Sequence, residues 1–382
     1  MNRVLLAGAA AAAIVAVALG SNFFAPRDDP VPVVGGSPSP AASALLAPTS
    51  AASPAASEAR RVDYSDVPGR ILVEHLGNAL DLSEKDEPDF NGDRRRFYFM
   101  DPADMTAATV VEFLPGQPST GKSAADVSAD SQKVVFQDWR DKPSLYEANL
   151  DGTGFRRLPI DCDCQLLYPD YDPTASKVVY VRIEGRESWL EIRDLGTGDT
   201  RRLESTIGPA DDSVPEQPAW SPDGATIAFS RLTWNGAQPM VGTVHAGYGA
   251  PTAGKLSLVD VASGQVRDLP LSNRMLPGDA NWYPDSASLV FTDGPVSTTG
   301  SVDNMPTHAN HRINVDGTGL ESLPGCCSPQ FLPDGSYILV FSNVFYLMEP
   351  DGSEFKLVNT KGIDLSDREQ GFSYVGHWIA AR

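Results

Sequence analysis

The sequence predicts an all-β fold: a six-bladed β-propeller closed by its C-terminal strand, after an N-terminal signal or anchor segment and a disordered linker. Three observations carry this. A strand–turn–strand unit recurs along the chain, the run after each turn is β-branched and aromatic, and the copies return at an interval suited to four strands.

The unit is plainest at residues 218–230, Pro-Ala-Trp-Ser-Pro-Asp-Gly-Ala-Thr-Ile-Ala-Phe-Ser. Ser221-Pro222-Asp223-Gly224 suits a type I turn, because proline presets φ at the second position, serine suits the first and glycine relieves the last. Beyond it Ile227 and Phe229 fall on one face and Ala228 on the other, the pattern of a strand covered on both sides with a small residue where something packs closely. Weaker copies of the turn stand at Ser128–Ser131, Asp172–Ala175, Tyr283–Ser286 and Leu332–Gly335. They lead into Val134–Phe136, Val178–Tyr180, Leu289–Phe291 and Ile338–Phe341, runs fit for buried strands. Phe136 to Tyr180 spans 44 residues, then 49 to Phe229, 62 to Phe291 and 50 to Phe341.

Each unit has a second half. Leu145-Tyr146 runs into Asp151-Gly152, Leu190–Ile192 into Gly196-Thr197-Gly198 and Leu256–Val261 into Ser263-Gly264. Ile313–Val315 and Tyr346–Met348 run likewise into Asp316-Gly317 and Asp351-Gly352. These dipeptides between strand-like runs are hairpin signals, and four antiparallel strands make one blade. On these residues, and above all on Trp220-Ser221-Pro222-Asp223-Gly224, the chain from about 64 to 382 resembles the TolB-like family of exported propellers. The resemblance implies six blades and functions from protein docking to gating a peptidase. Fold transfers across such a likeness more readily than function does.

In chain order, Met1-Asn2-Arg3 and the uncharged stretch from Val4 to Pro26 read as an export segment, residues 1–26, cleaved after Ala18-Leu19-Gly20 or kept as a membrane anchor. Residues 27–63 are a Pro/Ala/Ser-rich linker that buries too little to offset its ordering entropy, a tether or a plain leader. Residues 64–382 form one propeller domain, with blades at 64–115, 116–160, 161–206, 215–271, 275–324 and 325–360. The first blade shows Ile71–Val73, Phe97–Phe99 and Thr109–Phe113 but no innermost strand before them. Phe372–Ile379 aligns with the pre-turn half of the repeat and is expected to supply it.

This topology puts every tight turn on one face and the long connections 77–95, 233–254 and 293–310 on the other. Long loops on a rigid scaffold are where binding resides, so the loop-rich face is the expected binding face, tolerated insertions being the alternative. It carries His245, His308 and His311, and His75 ends a strand pointing the same way. Asp89, Asn91 and Asp93 offer oxygens at alternate positions, as a Ca²⁺ loop does, without the glycine and distal glutamate of the helical type. Cys162, Cys164, Cys326 and Cys327 lie in links entering the third and sixth blades; in an exported protein they form disulfides of undecided pairing, or a thiolate site for Zn²⁺ or Cu(I). No bound cofactor is otherwise implied.

Fifty acidic and 30 basic side chains give a net charge of −20, which argues against nucleic acid and anionic lipid surfaces. Gly-x-Ser-x-Gly, His-Glu-x-x-His and phosphate-cradling glycine loops are missing from the sequence. The chain therefore reads as an extracytoplasmic, monomeric, non-catalytic scaffold that binds a protein or cell-envelope component and meets a membrane only through an uncleaved leader. The alternatives are a carbohydrate-acting hydrolase or lyase working at the channel mouth and a cysteine-based metal protein.

Overall fold

The computed structural model describes residues 69–77, 95–101, 104–110, 122–138, 144–209, 213–233, 251–295, 309–325, 327–341, 345–353, 355–357 and 371–380. The leader 1–26, the linker 27–63, and Asp89, Asn91, Asp93, His245, His308 and Cys326 lie outside them.

The strands, grouped by sheet, are β1 (Gly69–Gly77), β2 (Arg95–Asp101) and β3 (Asp104–Val110); β4 (Lys122–Val127), β5 (Lys133–Asp138), β6 (Ser144–Asn149) and β7 (Arg156–Arg157); β8 (Gln165–Tyr171), β9 (Lys177–Glu184), β10 (Glu187–Asp194), β11 (Thr200–Arg202) and β12 (Gly208–Pro209). Then come β13 (Ser213–Trp220), β14 (Thr226–Thr233), β15 (Ala253–Asp260) and β16 (Val266–Asp268); β17 (Met275–Trp282), β18 (Ser288–Pro295), β19 (Ala309–Asn314) and β20 (Glu321–Leu323); β21 (Gln330–Phe331), β22 (Ile338–Phe341), β23 (Phe345–Met348) and β24 (Phe355–Leu357). The last strand, β25 (Gly371–Ala380), pairs antiparallel with β1, from Gly69 opposite Ala380 to Gly77 opposite Gly371. All pairings are antiparallel and, β25 with β1 and β12 with β10 apart, between chain neighbours, so the first turn and the second connection of each sheet open at opposite ends. First strands touch in sequence, β4 to β8, β13, β17 and β21, and β25 touches both β21 and β4. The fold is a β-propeller.

Two expectations need correction. Five sheets have the four strands of a regular blade, but the third has five. There β11 and β12 both pair with β10, at Glu191–Arg193 and Glu187–Ser188, so two short strands share the outer position. A 3-10 turn at Glu204–Thr206 separates them, fixed by Thr206 Oγ1, which accepts the Leu190 N–H (2.9 Å) and donates to the Leu203 carbonyl (2.7 Å). In the first sheet, the strand expected at Thr109–Phe113 runs from Asp104 to Val110 instead, set by a tight return from Asp101 to Asp104.

The turns follow the residues. In all five copies the last turn residue donates its N–H to the carbonyl of the first, at 2.7–2.9 Å, and takes a left-handed φ: Ser131 54°, Ala175 51°, Gly224 73°, Ser286 58° and Gly335 71°. Ser221 Oγ donates to Asp223 Oδ1 (2.6 Å) and accepts the Thr226 N–H (2.9 Å), which ties the turn into the next strand.

The core is divided into wedges between successive sheets. Along β9 the alternation is complete: Val179, Val181 and Ile183 face the fourth sheet with Ile227, Phe229 and Val214, while Val178 and Tyr180 face the second with Val135, Leu145 and Leu158. Ala228 leaves room for Trp282 in the next wedge, where the indole also donates to the Ala219 carbonyl (2.9 Å). Each fully buried large side chain stabilises the fold by ~1.5–3 kcal/mol, and Phe136, Tyr180, Phe229, Phe291 and Phe345 are all fully buried.

Candidate functional site

The first strand of each sheet belongs to the innermost turn of the ring, and its backbone is irregular at one repeated place. Register shifts fall between Ser123 and Asp126, Leu167 and Asp170, Glu216 and Ala219, and Gly278 and Asn281. In three of these copies a residue within the shift is left-handed, Tyr168 (φ 51°), Gln217 (49°) and Asp279 (48°), and so is Ser328 (45°), two residues before β21. A bulge removes amides from the ladder, and buried amides need acceptors.

The preceding sheet supplies them. Gln137 Oε1 accepts the Tyr168 N–H (3.0 Å), Gln217 Oε1 the Asp279 N–H (3.0 Å) and Thr292 Oγ1 the Ser328 N–H (3.2 Å). Asp126 Oδ2 accepts the Tyr171 N–H (2.8 Å), and Asp170 Oδ2 accepts the Trp220 N–H (2.6 Å). Further along, Asn281 Nδ2 donates to Gln330 Oε1 (2.8 Å) and Ser328 Oγ to Asp279 Oδ2 (2.9 Å). A belt of side-chain bonds thus runs from the second sheet to the sixth.

Three carboxyls sit in this belt, Asp126, Asp170 and Asp279, each half-buried, and a fourth, the buried Glu216, lies near Asp279. Burial pushes Asp126 up to about 7, against the opposing amides of Tyr171 and Val127. Asp170 lies well above the usual carboxylate range, first through burial and then through the charges of Asp126 and Asp172. Burial and the neighbouring Asp279 push Glu216 up to about 8, and Asp279 is itself raised by burial. On β25, His377 donates a ring N–H to the Ala125 carbonyl, its Nε2 has no hydrogen-bond partner, and burial lowers it to about 4.

Of the residues expected to bind, His311 is the one whose side chain is defined. It stacks on Phe291 (centroids 5.5 Å apart), with Nε2 3.8 Å from Asp293 Oδ2 and Nδ1 3.4 Å from Ser322 Oγ. Desolvation lowers His311, and burial raises Asp293 to about 6 against the bond it accepts from the Leu276 N–H (2.9 Å). His75 lies on β1 between Arg96 and Ser373, so the backbone does not bring it to His311. Cys162 and Cys164 are bonded to each other, within a single link, and Cys327 opens the link into β21 with φ 74°. Among the described residues no group of three His, Cys, Asp or Glu is gathered to hold a metal ion.

Sequence reasoning missed the four carboxyls, although a signal was present for Asp126 and Asp170. Asp126, Asp170, Asn281 and Gln330 each stand two residues before a turn, where an otherwise apolar approach carries a polar side chain.

No protein-family model matches the chain, and no curated protein matches it. Among solved structures, TolB from Acinetobacter baumannii is similar over 83% of this chain and 67% of its own, at 16% identity and a TM-score of 0.56. A chain of a nidogen/laminin complex is similar over 82% of this chain and 99% of its own, at 13% identity and a TM-score of 0.54. At such identities the likeness is one of fold.

Proposed function

We propose that this chain is an exported, non-catalytic propeller of six blades, its ring closed by β25 on β1, that binds a protein or cell-envelope component through the face carrying its long connections. The observation that carries this reading is the use of the inner-strand polar groups. Asp126 and Asp170 are spent as acceptors for the amides of Tyr171 and Trp220, and Gln137, Gln217 and Thr292 serve in the same way. The ring's polar interior is thereby occupied in holding sheets together, and variation is left to the loops. The long connections after β1, β14 and β18 each join the second strand of their sheet to the third, which gives them a common end. Similarity in fold to TolB, and to a propeller found in a complex with laminin, fits a docking role. The net charge of −20 favours a cationic or neutral partner.

The test shortens each long connection, 78–94, 234–252 and 296–308, to a tight turn and measures binding to isolated cell-wall and membrane fractions beside thermal unfolding. Binding that disappears while the melting temperature holds supports the reading. Binding that survives all three shortenings moves the site to the opposite face. Conversion of a polysaccharide by the intact protein, lost with Asp293→Asn or Asp279→Asn, replaces it with an enzyme.

A further inference from the structure

We propose that the bond between Cys162 and Cys164 is an exchangeable disulfide, which takes two electrons from a cationic dithiol partner at the end of the ring that bears the long connections. The inference goes beyond the docking reading and does not need it, because it rests on where the bond lies in the chain and on what its two sulfurs meet. The bond joins residues two apart, with Cα atoms 5.2 Å from each other, and Asp163 is the one residue it encloses. A cross-link stabilises a fold by restricting the unfolded chain, and the gain is least for the shortest loop. This one ties together no two strands and no two sheets: it lies wholly in the link between Arg157, which ends β7, and Gln165, which begins β8. The wedge beside it is built on larger side chains, among them Leu158, Ile160, Leu166 and Tyr171. The fold therefore depends little on this bond, which is open to reduction while the chain stays folded.

The two sulfurs differ in their surroundings. Cys164 is 2% exposed and belongs to the wedge, whereas Cys162 is half-buried at its edge, between the exposed Asp161 and Asp163. An attacking thiolate arrives from solvent, so Cys162 is the sulfur it reaches. The partner's first thiolate bonds to Cys162 Sγ as the bond to Cys164 breaks, and the electron pair leaves on Cys164 Sγ, which takes up a proton because an apolar wedge disfavours a thiolate. The partner's second thiolate then bonds to the partner's first sulfur, and Cys162 Sγ departs with its electron pair and takes up the second proton. The partner has lost two electrons and two protons and leaves as a disulfide, and the chain keeps two thiols.

Topology and charge narrow the partner. In an antiparallel sheet of four strands, the link that leaves the fourth strand opens at the same end as the connection between the second and third. The pair thus shares its end of the ring with the connections after β1, β14 and β18. Asp161 and Asp163, in a chain of net charge −20, draw a cationic thiol and repel an acidic one.

The experiment treats the folded full chain with a lysine-rich peptide carrying two reduced cysteines, quenches with an alkylating agent and reads the tryptic fragment 158–177, which holds Cys162 and Cys164 and no other cysteine. The fragment is expected to gain two alkyl groups, with one peptide disulfide formed per pair reduced, while the melting transition stays sharp. A fragment that resists alkylation until urea unfolds the chain overturns the proposal, and so does reduction that abolishes cooperative melting. The attacked sulfur is read from single variants and the oxidised peptide: Cys164→Ser is expected to form a mixed disulfide at Cys162 at least ~10-fold faster than Cys162→Ser forms one at Cys164. Equal rates overturn the assignment. Should a variant fail to fold, a one-thiol peptide on the wild type makes the same distinction: its mixed disulfide is expected on Cys162, and finding it on Cys164 overturns the proposal.

Discussion

The five first turns place a left-handed residue at the same position, yet only two copies put glycine there. A non-glycine residue in that region costs ~1–2 kcal/mol, so Ser131, Ala175 and Ser286 each carry strain that Gly224 and Gly335 do not. Ala175→Gly is expected to raise the free energy of unfolding by ~0.5 kcal/mol, the relieved strain less the ~0.4–1 kcal/mol that glycine returns to the unfolded chain. The reverse exchange tests the same idea. A Cβ on Gly335 would lie 2.6 Å from Pro284 Cγ in the turn of the preceding sheet, so Gly335→Ala is expected to cost more than ~1 kcal/mol. Urea titration of both variants reads the two signs. At this scale the sequence was legible, because Ser-Pro-Asp-Gly is short-range chemistry: each residue's contribution depends on neighbours within four positions.

Between elements the reading was partial, for a physical reason. The alternation of Ile227, Ala228 and Phe229 foretold a strand covered on both faces, and both faces are covered. It could not foretell the bulges, which depend on where one strand's amides meet the side chains of another sheet. Asp170 and Trp220 are 50 residues apart and meet only in the assembled ring. The same holds for the divided outer strand β11–β12, fixed by the Thr206 hydroxyl against β10 rather than by a strand breaker of the usual kind. Pairing of β25 with β1 makes an element-scale prediction. Deleting residues 371–382 exposes the edge of β1 and removes the neighbour of β21, β22 and β4. Calorimetry of the truncated protein is expected to show a broad, weakly cooperative transition; an unchanged sharp one would show that the first sheet stands without its partner.

For the whole molecule, the candidate site was the least legible part. Histidines were expected at the loop-rich end, and His311 is there, beside Asp293 at the base of a long connection. The cysteines were expected to form disulfides of undecided pairing or a thiolate site, and Cys162 is bonded to Cys164 within one link. The polar belt went unread because sequence position gives the type of a side chain and not the amide it will serve. Gly69 and Ala380 are cross-strand neighbours, so the first and last described residues lie side by side. A short linker can join them, and new ends can open at the Gly185–Arg186 turn, where a Cβ on Gly185 would touch nothing within 4 Å. Such a permutant, starting at Arg186 and ending at Gly185, is expected to fold with near-native circular dichroism and a single melting transition, since no strand changes partners. Cut there, the ring would be closed by β9 and β10 pairing across the new ends. The ring of described strands is a circle in every respect but its covalent bonds, and where it is severed becomes the designer's choice.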